Sequence, residues 1–536
     1  MPAPKSDVCV ENASIEELQE ALSEGRATSV DLVRAYMARI AAYDRAGPGL
    51  NAVRELNPEA LALAAAADAI KFPRGKRPPL HGMPILLKDN IATGDGQHTT
   101  AGSLALADAF AKRDATVAAK LRKAGAVILG KANLTEFANI LGVGMPSGYS
   151  SLGGQVRNAY APEVDDKGVP IVQPGGSSAG SGVAVAAGLA AAAIGTETSG
   201  SLLSPASQSG LVTVKPTVGL ISRAGIIPIA ASQDTAGPMT RTVRDAAIIL
   251  NALIGPDPLD PATAAAPKPV DYLRNLDKSG LKGARIGVPS NPDDPGNDVY
   301  WRGLSPQGRA VMAGVITALQ DSGAVVVREN IPTPGWIGGP GTDMAILNQN
   351  RESPDFNKVA RVSLVFVYEL KHDMNAYLKD WAKGTAIRTL GDIVNFNFGH
   401  AETALRFGQD IFLAAQSTRG DLKELEYIAA RQNDVRAAKA QGLDTYMDEN
   451  RLDAVLFPGT AGAAIAAKAG YPSVQVPAGF ISGVNGRETP EYPLGATFTG
   501  RAWSEATLLR LAYAFEQATL ARRMPPGVPE LGAGCR

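Results

Sequence analysis

The segment GGSSAGSGVAVAAGLAAAAIGTETSGSLLSPASQS, residues 175–209, alternates glycine- and serine-rich turns with a solid apolar run. The turns fall at residues 175–182 and 196–204, and the run between them, residues 183–194, predicts a buried helix leading to a short strand. Glycine permits positive φ and small side chains permit close backbone approach, so serine hydroxyls and main-chain N–H groups can converge on one point. A flexible linker would contain no such run, nor would the strand-like residues 211–216 follow it. The segment therefore predicts an ordered active-site floor.

Three chemistries compete for these turns. A phosphate-binding loop, GxxxxGK[ST], is disfavoured because no lysine follows the glycines of residues 175–182. A nucleophile elbow, GxSxG, matches residues 176–180 and would make Ser178 the nucleophile. That serine would need a histidine base, and the chain offers only His372 and His400 downstream, neither within a recognisable partner pattern. The third chemistry uses a lysine as the base.

Further motifs surround the two turns in a fixed order. They are GMPILLKDN at 82–90, GKANLTE at 130–136, GGSS at 175–178, GTETSGS at 195–201, KPT at 215–217 and QDTAGPM at 233–239. Together they resemble the amidase signature family, over roughly residues 10–525 and most densely over 80–250. The resemblance implies an α/β fold in which helices cover both faces of a central mixed, twisted β-sheet, with a mostly helical cap region.

Carried over residue by residue, the family's catalytic set falls on Lys88, Ser177 and Ser201. By resemblance, Ser201 is the nucleophile, Ser177 follows a cis peptide bond and relays the proton, and Lys88 is the base. The spacing of the two serines is the family's own and selects Ser177 over Ser178, which we expect to support Lys88 through a hydrogen bond. We expect the oxyanion hole at the main-chain N–H groups of Thr198, Ser199, Gly200 and Ser201. Ser199 departs from the Asp or Gly usual in the family, without consequence for a main-chain donor.

A lysine base must be a neutral amine, so its pKa has to fall from about 10.4 towards 7. Burial behind residues 83–87 and the exclusion of nearby carboxylates would supply that shift. Asp89 follows Lys88 directly, but in a strand its side chain would point to the opposite face.

Composition narrows the class of protein. The 536 residues are 45% hydrophobic, enough for a large core, and the formal net charge of −1 provides no electrostatic footprint for nucleic acid. Only four histidines and two cysteines are present, without metal-ligand spacing, so we expect no metal and no organic cofactor. Cys9 and Cys535 lie near opposite termini and could pair only if the termini meet, so free thiols are the expectation. The apolar run 183–194 is too short to span a membrane and the N-terminus lacks a secretory apolar region, so we expect a cytoplasmic or already trimmed protein.

The alternation of helical and strand patterns predicts a single domain over residues 1–536. Its expected parts are N-terminal helices at 1–75, a catalytic core at 76–290, a variable, mostly helical cap at 291–450 and a return to the sheet at 451–525. Within the core we expect a strand over 79–88, ending at Lys88, and a loop and helix around 133–139.

These observations predict a serine hydrolase of linear amides, a monomer or homodimer acting on small-molecule substrates. C-terminal peptide amides, aryl amides and alkyl amides are the expected substrates, with esters and carbamates cleaved by the same machinery. Residues 367–371, 377–378 and 222–228 resemble stand-alone bacterial peptide amidases and aryl acylamidase-like members. Two alternatives stay open, the glutaminase (A) subunit of an amidotransferase and a non-catalytic binding module. The presence of all three catalytic residues argues against the second.

Overall fold

A computed structural model of the chain describes residues 8–73, 75–291, 293, 299–332, 344–347 and 360–531, with only the backbone described at 344–347, 360 and 361. Within these ranges the α-helices are α1 (Ile15–Glu24), α2 (Ser29–Arg39), α3 (Ala60–Ala69), α4 (Thr116–Lys123), α5 (Ala179–Ala186), α6 (Leu203–Gln208), α7 (Val243–Leu253), α8 (Pro306–Asp321), α9 (Leu364–Asp380), α10 (Leu390–Gly399), α11 (Ala401–Ala404), α12 (Asp410–Ser417), α13 (Leu425–Val435), α14 (Thr445–Asn450), α15 (Ala463–Ala469) and α16 (Glu505–Thr519). The strands are β1 (Val53–Leu56), β2 (Pro84–Lys88), β3 (Phe110–Ala111), β4 (Val127–Ala132), β5 (Tyr149–Ser150), β6 (Gly154–Gln155), β7 (Ala192–Glu197), β8 (Val212–Lys215), β9 (Thr235–Thr240), β10 (Arg285–Gly287), β11 (Val325–Val327), β12 (Met344–Leu347), β13 (Ala360–Ser363), β14 (Ala382–Lys383), β15 (Ala454–Pro458), β16 (Ser473–Ile481) and β17 (Tyr492–Thr499).

One mixed sheet forms the centre of the described structure. Its eleven strands follow the order β1-β4-β2-β7-β9-β8-β16-β17-β15-β10-β11. Strand β2 is parallel to both of its neighbours, β4 and β7, whereas β7 through β15 along this order pair antiparallel. Every residue of β2 and β7 is buried, as their near-continuous apolar sequences require. The predicted α/β class with a mixed central sheet is confirmed.

The apolar run at the centre of the sequence forms both a helix and a strand. It supplies the second half of α5 and the first half of β7, which a tight turn at Gly188 connects. The φ of Gly188 is +65°, and a Cβ there would lie 2.5 Å from the carbonyl oxygen of Glu11. Glycine is therefore required for this reversal, and the helix-then-strand prediction for residues 183–194 is confirmed, with α5 beginning four residues earlier, at Ala179.

The helix expected around residues 133–139 is not formed. Phe137 and Ala138 have left-handed φ values of 46° and 55°, which interrupt any helix. Tertiary contacts hold this shape: the Phe137 N–H donates to the Ala101 carbonyl at 2.9 Å, and its ring packs 4.8 Å from the ring of Phe412. Contacts with distant residues override the local preference here.

Between β13 and β15 the chain is mostly helical. Helices α9 to α14 occupy it, and the predicted cap also includes positions that lie outside the described residues. In the part of the chain that the structure describes, no helix has both the length and the apolarity needed to cross a bilayer.

One prediction about the cysteines is wrong. Cys9 is not a free thiol, because its sulfur forms a disulfide bond. Cys535 lies outside the described residues.

Candidate active site

Lys88 is the last residue of β2, and its side chain is completely buried. Because β2 and β7 are parallel neighbours, their carboxyl ends bring Lys88 and Thr196 to the same edge of the sheet. The Lys88 Nζ lies 2.8 Å from Ser177 Oγ, 2.9 Å from Thr196 Oγ1 and 3.3 Å from the Thr196 carbonyl oxygen. The structure thus brings together the predicted lysine and the predicted bridging serine.

Burial controls the charge of this amine. It lowers the pKa of Lys88 to about 7, because the ammonium loses its hydration, while the carboxylates of Asp234 and Glu197 act in the opposite direction. The expected exclusion of nearby carboxylates is therefore wrong for these two residues. It holds for Asp89, whose side chain turns away and binds the Arg54 guanidinium at 2.6 Å.

Ser177 and Ser178 lie in the turn at residues 175–178, immediately before α5. The Gly176–Ser177 peptide bond is cis, and the Ser177 carbonyl accepts the Thr135 N–H at 3.0 Å. The Ser178 hydroxyl donates to the Thr196 carbonyl at 3.0 Å and accepts the Thr196 N–H at 3.2 Å. Ser178 therefore supports Lys88 only through Thr196, whose carbonyl both residues share, and the direct hydrogen bond expected between them is not formed.

Among the described residues, neither candidate histidine can serve the elbow alternative as a base. The Ser178 hydroxyl is hydrogen-bonded to the carbonyl and the N–H of Thr196. Both candidate histidines are exposed. His372 Nδ1 lies 2.8 Å from Asp373 Oδ1, and His400 Nδ1 lies 2.9 Å from the Phe396 carbonyl oxygen. Neither histidine is a partner of Ser178.

Ser201 lies in the turn between β7 and α6, only 7% exposed. A hydrogen bond of 3.2 Å from the Ser178 N–H to the Ser201 carbonyl joins this turn to the first one. Among the described residues, none of the N–H groups of Thr198, Ser199, Gly200 and Ser201 donates to a protein acceptor. These main-chain donors are available to a bound molecule.

Asp234 is a half-buried residue of this region that sequence reasoning did not select. Its carboxylate accepts the Thr198 hydroxyl, the Ile229 N–H at 2.9 Å and the Ala230 N–H at 3.0 Å. Burial raises the pKa of Asp234 to about 7. The signal was present in QDTAGPM, which marks the start of β9, but the motif alone does not reveal a contact with the 196–201 turn.

Two cavities are lined in part by residues 196–199. The first, the Asn90 cavity, has a volume of about 250 Å³, and its wall includes Asn90, Thr196, Thr198, Asp234, Tyr377 and Trp381. The second, the Ser199 cavity, has a volume of about 420 Å³, and its wall includes Ser199 and Gln233. Within the described ranges, no group of three or more His, Cys, Asp or Glu side chains is placed to hold a metal ion.

A buried lysine within hydrogen-bond distance of a serine, beside a turn with available main-chain N–H groups, is an arrangement that activates a serine nucleophile in hydrolases. Comparison with known proteins identifies the family, because the Amidase family model matches residues 31–509. The chain belongs to the amidase family and is a hydrolase acting on carbon–nitrogen bonds.

Individual relatives match over nearly the whole chain. A probable amidase of Arabidopsis thaliana is 38% identical over 528 residues, covering 97% of this chain and 92% of that protein. A glutamyl-tRNA(Gln) amidotransferase subunit from Geobacter metallireducens is 34% identical over 529 residues, covering 96% and 99%. The X-ray structure of native peptide amidase from Stenotrophomonas maltophilia matches with a TM-score of 0.81 and 40% identity, covering 96% of this chain and 98% of that one.

Proposed function

We propose that the chain hydrolyses linear amides through an acyl-enzyme, with Ser201 as the nucleophile, Ser177 as the proton relay and Lys88 as the base. The observation that carries the proposal is the completely buried Lys88 amine, 2.8 Å from the Ser177 hydroxyl oxygen. With a pKa of about 7, this amine is largely neutral at slightly alkaline pH and can accept a proton.

The contacts of Lys88 can be satisfied by the neutral form as well as by the ammonium. A neutral amine has two N–H donors and one lone pair, whereas an ammonium has three donors and no acceptor. Thr196 presents two acceptors, its hydroxyl oxygen at 2.9 Å and its carbonyl oxygen at 3.3 Å. With both N–H groups directed at Thr196, the lone pair is left for the hydroxyl proton of Ser177.

The reaction then follows from the positions of these groups. Lys88 draws the proton of Ser177, which takes the proton of Ser201 as that oxygen attacks the substrate carbonyl carbon. The main-chain N–H groups of residues 198–201 stabilise the oxyanion, and losing one such donor typically costs about 3 kcal/mol of transition-state stabilisation. The relay returns the proton to the leaving amine, and water repeats the sequence on the acyl-enzyme.

The proposed substrates are C-terminal peptide amides together with aryl and alkyl amides. The 40% identity to a peptide amidase over nearly the full chain supports the first of these classes. Esters and carbamates present the same electrophile to the same nucleophile, so we propose them as further substrates of this site.

Turnover by the purified chain alone tests the proposal. The substrates are an amidated peptide, a chromogenic anilide and the matching ester, assayed with the parent protein and three variants. Ser201→Ala, Ser177→Ala and Lys88→Met are each expected to lower kcat/KM by at least about 10²-fold, with circular dichroism confirming that the variants fold. Parent-like turnover in any variant would contradict the role given to that residue.

The glutaminase subunit of an amidotransferase is the second candidate. The 34% identity to a glutamyl-tRNA(Gln) amidotransferase subunit, over 99% of that protein, favours it. The two candidates differ in partner dependence, since an amidotransferase component is expected to hydrolyse glutamine efficiently only within its complex. Efficient hydrolysis of amidated peptides by the isolated chain, with poor hydrolysis of glutamine, would support the stand-alone enzyme.

A further inference from the structure

The Asn90 cavity contains an orphaned hydrogen-bond acceptor. Asn90 is only 2% exposed, and its Oδ1 has no partner among the described residues. Its Nδ2 donates to Thr196 Oγ1 at 3.0 Å and to the Ile227 carbonyl at 3.4 Å, so rotating the amide by 180° would place oxygen against oxygen at Ile227. A buried acceptor without a partner calls for a donor from elsewhere. A bound molecule with an N–H group can supply one, because Asn90 lines the cavity.

The charged side chains of the same wall are unbalanced. Four carboxylates, those of Asp234, Asp260, Asp373 and Asp380, line the cavity together with a single guanidinium, that of Arg223. Both oxygens of Asp260 and the Ala231 carbonyl bind that guanidinium, so it is not available to an anion. The wall therefore favours positive charge in the cavity.

Asp380 is the carboxylate left open to a ligand. It is the last residue of α9, is exposed, and forms no ion pair or hydrogen bond within the described residues. Lys112 and Arg113, whose side chains reach this end of α9, bind other groups. Lys112 Nζ donates to the Lys379 carbonyl at 2.6 Å, and the Arg113 guanidinium stacks 4.0 Å from the centroid of the Trp381 ring.

Apolar residues complete the wall. Tyr377 and Trp381, which are 6% and 8% exposed, belong to it together with Ile226 and Ile229. An alkyl chain fits such walls, and aromatic faces also attract an alkyl ammonium. The wall thus combines the Asn90 amide oxygen, apolar side chains and carboxylates.

We propose that the Asn90 cavity binds the arm of the amide substrate that carries a positive charge, an alkyl ammonium or guanidinium group. Asn90 Oδ1 accepts an N–H of the arm near the reacting amide, and Asp380 pairs with its cationic end. This inference rests on the proposed amide hydrolysis and names its substrate class, amides with a cationic side chain or a cationic amine.

Binding to the Ser201→Ala variant tests the inference without requiring turnover. Isothermal titration calorimetry compares N-acetyl-lysinamide, whose positive charge is on the acyl side of the amide, with the uncharged N-acetyl-norleucinamide. A second pair, N-acetyl-1,5-diaminopentane and N-pentylacetamide, places the charge on the amine side. We expect the cationic member of at least one pair to bind about fivefold more tightly or better at low salt, with the ratio falling as salt is added.

Substitutions at Asp380 assign the preference to the cavity. In the Ser201→Ala background, Asp380→Asn is expected to remove most of the preference for the cationic ligand, and Asp380→Lys is expected to reverse that preference. The matched control Glu402→Gln, which removes an exposed carboxylate of α11 outside the cavity, should keep the preference. Three results would overturn the inference. They are equal affinity within both pairs, no binding of either pair, and a preference for the cationic ligand that survives both Asp380 substitutions. If the parent protein hydrolyses no amide, the proposed function fails, whereas this affinity ratio is measured independently of hydrolysis.

Discussion

Lys88 owes its chemistry to what surrounds the amine. Hydroxyl and carbonyl oxygens are its hydrogen-bond partners, and no carboxylate forms an ion pair with it among the described residues. Burial therefore dominates the balance and the pKa falls to about 7, although Asp234 and Glu197 oppose the shift from farther away. A lysine in direct contact with a carboxylate would stay protonated and could not act as a base.

The first prediction concerns pH. Protonated Lys88 cannot accept a proton, so kcat/KM should be low at acidic pH and rise through an apparent pKa of about 7 as the amine becomes neutral. Initial rates on an uncharged amide between pH 5 and 9 measure this rise, the acidic limb of the pH profile of kcat/KM. A profile flat across that range, or one that falls as pH rises through 7, would contradict a lysine base.

The second prediction uses Asp234. Its negative charge raises the pKa of Lys88, so Asp234→Asn should move the acidic limb of kcat/KM to lower pH. Asparagine retains an acceptor for the Ile229 and Ala230 N–H groups, which limits structural change. The pH profile of this variant is compared with that of Glu402→Gln, whose limb should match that of the parent. A limb that moves to higher pH, or does not move, would show that Asp234 does not act through charge.

Sequence reasoning at this scale found the residues that motifs carry and missed those that the fold supplies. Lys88 and Ser177 were predicted as partners and lie 2.8 Å apart. Asp234 and Thr196 were not selected, because their roles depend on the pairing of β7 with β2 and β9, which no local pattern encodes. Asn90 immediately follows the lysine segment, but only the structure shows that its oxygen lacks a partner among the described residues.

Among the elements, α5 and β7 must approach so closely that Ser178 reaches the main chain of Thr196. Gly195 in β7 makes this possible, because a Cβ at that position would lie 2.8 Å from Ser178 Oγ and 2.7 Å from Leu202 Cδ2. Both neighbours are fully buried and have little room to move.

The third prediction follows from this contact. Gly195→Ala should destabilise the protein by about 1–3 kcal/mol through overpacking and should also lower kcat. Gly314→Ala is the matched control, since nothing lies within 4 Å of its added Cβ in α8, and alanine there should stabilise by about 0.5–1 kcal/mol. Urea titration measures both free energies of unfolding. If Gly195→Ala leaves the free energy of unfolding unchanged, α5 can move away from β7 at little cost in free energy.

Helices and strands were predictable where the sequence pattern was long. The prediction failed where contacts with distant residues determine the backbone conformation. The strand expected over 79–88 is formed at Pro84–Lys88 and ends at the expected residue. The helix expected around 133–139 is replaced by left-handed residues, because the Phe137 ring packs on Phe412 from α12, far along the sequence. No local pattern contains that contact.

Across the whole molecule, the sheet buries three lysines. Besides Lys88, these are Lys131 of β4, which donates to the Ile91 carbonyl at 2.7 Å, and Lys215 of β8, which donates to the Tyr471 carbonyl at 2.5 Å. Burial lowers the pKa of each of these two to about 8. The fold therefore binds fewer protons than the unfolded chain in mildly alkaline solution.

The fourth prediction is that stability increases between pH 8 and 9.5. In this window the unfolded lysines remain protonated while the buried ones are already largely neutral, so the free energy of unfolding should rise by about 1–2 kcal/mol for each buried lysine. Urea titrations at the two pH values measure the change, and Lys131→Met should reduce it by one lysine's share. A free energy of unfolding that stays level or declines over this window would contradict the burial of neutral amines.

In the proposed mechanism, Ser201 attacks the substrate with the help of Lys88 and Ser177. Trapping with a fluorophosphonate, followed by peptide mapping in a mass spectrometer, tests these three roles together. We expect a single adduct on Ser201, absent from Ser201→Ala and formed much more slowly in Lys88→Met. An adduct on Ser178, or labelling of Ser201 at the same rate without the lysine, would contradict this mechanism.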